Sequence, residues 1–78
     1  MIILKNIVID NNIIKCDIFP EDSIENGTLE IDMHKISVSA SLPKGYEWCK
    51  NHIEHAKKHL SDIYISKNIP KQKIIMWY

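Results

Sequence analysis

Arginine is absent from these 78 residues, and all ten basic side chains are lysine. The flat bidentate fork that suits phosphates and base edges is therefore missing, which counts against sequence-specific nucleic-acid reading. Glycine occurs only as Gly27 and Gly45, and neither lies in a glycine-rich string, so no phosphate-cradling loop is expected. Cysteine occurs only as Cys16 and Cys49, with no Cys-x-x-Cys pair, which fits reduced thiols in a cytoplasmic chain better than a disulfide framework. No long apolar run is present either. Lys5 and Asn6 break the first one, which has no basic lead-in and no small-residue cleavage site, so neither an export signal nor a membrane span is expected.

The formal net charge is zero, which predicts no general attraction to nucleic acid or to an anionic membrane. The charges are nevertheless segregated. Between positions 16 and 33 stand Asp17, Glu21, Asp22, Glu25, Glu30 and Asp32 with no basic residue, whereas seven lysines follow from Lys44 onward. An acidic end and a basic end result. The abundance of isoleucine, lysine and asparagine suggests an AT-rich genome, such as that of a low-GC bacterium or its phage. At this length the chain reads as a single domain, 1–78, with little room for a scaffold, a pocket and several catalytic groups together. No enzyme and no cofactor are expected.

β-Branched residues dominate 2–9 and 12–19, and Asp10-Asn11-Asn12 between them suits a tight turn, so the two segments read as a hairpin. The stretch from Pro20 to Gly27 is the strongest loop signal. Beyond it Leu29, Ile31 and Met33 alternate with Thr28, Glu30 and Asp32, and Ile36, Val38, Ala40 and Leu42 alternate with three serines. Both read as half-buried strands. After Pro43-Lys44-Gly45 the period changes: Tyr46, Cys49, Ile53, Ala56, Leu60 and Ile63 predict an amphipathic helix over 45–66, ended by Asn68-Ile69-Pro70. A last strand is expected over 73–78. The fold class is α+β, a small antiparallel sheet in the order β-β-β-β-α-β, with the helix packed on one face.

The first and last strands do not divide cleanly into an apolar and a polar face. Ile2, Leu4 and Val8 oppose Ile3, Ile7 and Ile9, while Ile75 and Trp77 oppose Ile74, Met76 and Tyr78. Extra cover from a second copy of the chain or from another protein is the expectation. Trp77 and Tyr78, together with the acids Glu21, Asp22 and Glu25, are the candidate partner-binding residues.

Three of the four histidines fall in the helical segment. Trp48, His52, His55 and His59 form a stripe about 100° from the centre of the apolar one. Pairs of imidazoles one turn apart can chelate zinc or nickel, so His52, His55 and His59 are candidate metal ligands. No HExxH motif supports them, and boundary histidines are commonly packed for structural reasons. Cys49 beside these histidines is a poor nucleophile candidate, because its apolar neighbours imply burial. Lys50, Lys57 and Lys58, on the wet side of the helix, are the candidate nucleic-acid contacts. The reading favoured by the sequence is a small protein-binding or regulatory module, an inhibitor or accessory protein acting as a homodimer. A metal-binding protein is the alternative, and a lysine-mediated nucleic-acid binder the third.

Overall fold

The computed structural model describes residues 1–77. Strands β1 (Ile2–Asp10), β2 (Ile13–Pro20), β3 (Gly27–Asp32) and β4 (Ser37–Ser41) precede helix α1 (Lys50–Ser66), and β5 (Gln72–Ile75) follows it. The strands form one antiparallel sheet in the order β4-β3-β2-β1-β5, with a single helix after β4, as the α+β expectation requires. Chain direction explains most of this order. Short connections lay β1 to β4 side by side, and α1 then carries the chain back across the sheet to the free edge of β1.

β1 departs from its sequence pattern through a bulge. Its pairing with β2 shifts between Lys5 and Val8, and Asn6 takes a left-handed φ of 55° while its side-chain amide donates to Asp17 Oδ2 at 2.7 Å. The extra residue turns Ile7 to the face that Ile2 and Leu4 already occupy. The inner face of β1 therefore carries Ile2, Leu4, Ile7 and Ile9, and the outer face Ile3, Lys5 and Val8. An apparently two-sided strand becomes a half-buried one. The outer face still presents Val8, 45% exposed.

The inner face of the sheet adds Ile14, Cys16, Ile18, Leu29, Ile31 and Ile75, and α1 closes it with Ala56, Leu60 and Ile63. Each fully buried Leu or Ile contributes roughly 1.5–3 kcal/mol, so this layer is the main source of stability. The helix packs on β1 and β2, at the other side of the sheet from the β4 edge. For that reason β4 is exposed along its whole length although its residues alternate as a half-buried strand should. The apolar side chain of Val38 remains 39% exposed.

The helix starts later than its periodicity predicts, at Lys50 and not near Gly45. Gly45 has a φ of 88°, outside the helical region, and the chain from Pro43 to His52 climbs through successive i to i+3 turns: Tyr46 N to Pro43 O, Cys49 N to Tyr46 O and His52 N to Cys49 O. The Trp48 indole N–H donates to Gly45 O at 3.1 Å and fastens the turn. At the other end Lys67 adopts φ 62° and donates its backbone N–H to Ile63 O, a left-handed cap that stops the helix where expected. The last strand is shorter than expected and ends at Ile75. Met76 and Trp77 leave the sheet, and Tyr78 lies outside the described residues.

Candidate functional site

The chemistry-bearing side chains gather where the acidic loop after β2 meets the start of α1. Glu21 begins that loop. Its backbone N–H still pairs with Met1 O at 2.9 Å, which aims its carboxylate across the end of the sheet toward α1. Glu21 Oε2 accepts from the Met1 ammonium at 2.5 Å and from His52 Nε2 at 2.8 Å. The imidazole proton therefore sits on Nε2, and Nδ1 is buried without a hydrogen-bond partner.

His52 is buried, 8% exposed, and not at the edge of the helix where the sequence stripe puts it. The buried row is His52, Ala56, Leu60 and Ile63, and Ile53 is only half-buried. What turns the imidazole inward is its surroundings. Trp77 meets the ring edge-on at 4.7 Å, Trp48 meets it edge-on at 5.8 Å, and Glu21 supplies a charged acceptor. Trp77 also stacks on His55, with ring centres 4.1 Å apart and planes at 10°.

His52, His55 and His59 thus have separate environments. His59 is half-buried, and burial above all, followed by the nearby Lys73 ammonium, holds its pKa below the ordinary 6.5. Among the described residues no group of three His, Cys, Asp or Glu side chains is placed to hold a metal ion. Cys49 is fully buried at the foot of α1, and burial, then the Glu21 carboxylate, raises its thiol pKa. Burial and Asp17 push Cys16 up to about 12. Neither thiol is presented as a nucleophile. On the outer side of α1, Lys57 pairs with Glu54 at 3.3 Å, while Lys50 and Lys58 are exposed.

The residues expected to contact a partner separate into two groups. Glu21 and Trp77 face inward and tie the start of α1 to the sheet. Asp22 and Glu25 lie on the loop surface, and Tyr78 is outside the described residues. The Asp22 carboxylate accepts from the Tyr46 hydroxyl at 2.8 Å, a bond that raises the tyrosine pKa. Tyr46 stacks on Trp48, with centres 6.4 Å apart. A depression of about 470 Å³ opens between Tyr46 and the loop, lined by Asp22, Ser23, Ile24, Glu25, Lys44 and Tyr46. Two apolar side chains stand out here: Ile24, part of that lining, is 94% exposed, and Trp48, stacked on Tyr46, is 66% exposed.

Sequence reasoning passed over both. Ile24, a lone apolar residue inside an acidic loop, and Trp48, next to Glu47, were the available signals, but the helical period absorbed Trp48 into the histidine stripe. No helix among the described residues is long and apolar enough to cross a membrane. Searches of protein-family models, of curated proteins and of solved structures found no match to this chain.

Proposed function

We propose that the chain is a small, non-enzymatic protein-binding module of the cytoplasm, an inhibitor or accessory protein of a bacterial or phage system that works as a homodimer. Its target-binding surface is the acidic loop with Ile24, Tyr46 and Trp48, and its target is a basic protein. The observation that carries this reading is an exposed indole held in one position beside carboxylates. Trp48 is 66% exposed, yet its N–H is bonded to Gly45 O and its ring rests on Tyr46, which is itself held by Asp22. Ordering of that side chain has already been met in the free protein, so less is lost on binding. Asp22 and Glu25 on the loop, with Glu47 next to Trp48 in the chain, outnumber Lys44 and favour approach by a positive surface.

A photo-crosslinking residue placed at position 24 or 48 in the source cells tests the surface, with position 58 on the outer side of α1 as control. Adducts to a basic protein are expected from 24 and 48 only, and Asp22→Lys combined with Glu25→Lys should abolish them. Equal adducts from position 58, or adducts indifferent to the charge reversal, would discard this surface.

A further inference from the structure

We propose that β4 is the contact through which two copies of this chain associate, pairing antiparallel about Ser39 so that two five-stranded sheets join edge to edge. This deepens the homodimeric part of the proposed function and moves the interface away from the first and last strands. It is independent of the acidic surface.

The two edges of the sheet are not equivalent. β5 has four residues, carries Lys73 and is preceded by Pro70 and Lys71, all features that discourage further pairing. β4 has Lys35 and Pro43 two residues beyond its ends but no charge or proline within the strand. Its sequence is Ser-Val-Ser-Ala-Ser, without charge or proline, all five residues are exposed, and its register with β3 is unbroken from Thr28 opposite Ser41 to Asp32 opposite Ser37. Its outer backbone groups form the free ladder of that edge.

The occupant is specified by the strand itself. Paired antiparallel about Ser39, Ser37 meets the partner's Ser41, Val38 meets the partner's Ala40, and Ser39 meets its own counterpart. Every apolar side chain on the inner face then opposes an apolar one, and every hydroxyl on the outer face opposes a hydroxyl. A slip of one residue destroys both matches. This self-complementarity is what a two-fold contact demands. It also accounts for the alternation of β4, whose apolar face is exposed in the single chain: Val38 and Ala40 gain apolar neighbours from the second copy.

Charge does not oppose the pairing. The acids nearest the junction are on β3, where Glu30 lies beside Ser39. Three strand spacings, about 14 Å, separate Glu30 from the partner's Glu30. That exceeds the roughly 8 Å over which exposed charges act at physiological salt. So short a strand contact lies at the small end of specific interfaces, and a reversible, concentration-dependent dimer follows.

Sedimentation velocity from about 10 μM to about 1 mM tests the proposal, since a weak dimer dissociates within that range. The wild type should move toward dimer as concentration rises. Ser39→Lys should remain monomeric with an unchanged circular dichroism spectrum, because the new lysine faces Glu30 in its own sheet and its twin across the axis. Ser39→Cys should oxidise readily to a disulfide-linked dimer, the native thiols being buried. Ser37→Cys alone should not, while an equal mixture of Ser37→Cys and Ser41→Cys should give the mixed dimer. A wild type that stays monomeric throughout, with Ser39→Cys cross-linking no faster than Ser23→Cys on the loop, would overturn the proposal. So would a dimer that survives Ser39→Lys. Either failure would leave the crosslinking test at positions 24 and 48 unaffected.

Discussion

Glu21 holds a backbone φ of 52°, a conformation that costs a residue with a Cβ about 1–2 kcal/mol. What offsets this is the carboxylate, which gives buried His52 its hydrogen-bond acceptor. Glu21→Ala keeps the backbone cost and leaves the imidazole with neither nitrogen partnered, so a loss of about 1–3 kcal/mol is expected, read as a lower urea midpoint. An unchanged midpoint would show that the aromatic walls alone hold the ring. Ile36 is the opposite case. It is β-branched, sits at φ 56° and is 76% exposed, so the strain has no compensating burial within one chain. Ile36→Gly should raise monomer stability by about 1 kcal/mol, measured as a melting temperature in dilute solution.

Histidine 59 supplies a pH dependence. Burial first, then Lys73, depresses its native pKa below 6.5, whereas the unfolded chain keeps the ordinary value. Asp62 works in the other direction, and Lys58 and His55 add smaller depressions. Between those two pKa values the unfolded state binds the extra proton, so stability is full above about 6.5 and falls as pH drops through the depressed native value. Urea midpoints of wild type and His59→Gln should therefore lie closer together at about pH 5 than at about pH 7.5, the wild type having lost the larger share. Parallel pH profiles would assign the dependence to other groups.

At the scale of elements, Gly27 fixes the path out of the sheet. A Cβ at this position would stand 2.0 Å from the Ser41 carbonyl oxygen and 3.0 Å from Pro43 Cδ, because the chain leaving β4 crosses directly over it. Gly27→Ala forces that crossing segment to shift, and a loss of about 1–3 kcal/mol in thermal or urea unfolding is expected. Strands β2 and β3 were legible from alternation alone, since nothing interrupts their period. β1 was not: Lys5-Asn6 reads as a break in an apolar run, and only the left-handed Asn6 bonded to Asp17 reveals it as a bulge that changes which face Ile7 joins. Helix α1 was legible in its body and its end. Its start was not, because Gly45 and the Trp48 indole hold the preceding residues in tighter turns that share the helical spacing.

Across the whole molecule, the acidic loop was visible as composition, but the division of labour within it was not. Glu21, Asp22 and Glu25 are neighbours in the chain, yet Glu21 braces α1, Asp22 holds Tyr46 and Glu25 faces solvent. Nothing local distinguishes them, because the difference comes from residues twenty or more positions away. The burial of His52 likewise depends on Trp77, which arrives from the far end of the chain.

The placement of β5 sets an order in time. β1 to β4 can zip together through neighbouring hairpins, whereas β5 pairs Ile75 with Ile2 only after α1 has crossed the sheet. It closes the largest loop for four residues of ladder, so it docks last during folding and opens first in the native protein. Amide exchange should be faster over Gln72–Ile75 than over β2, which is flanked on both sides, and equal protection would mean that sheet and last strand open as one unit. Because Trp77 follows β5, the aromatic clasp on His52 and His55 is then the last contact made and the first released, and the stability of the start of α1 is tied to the closing end of the chain.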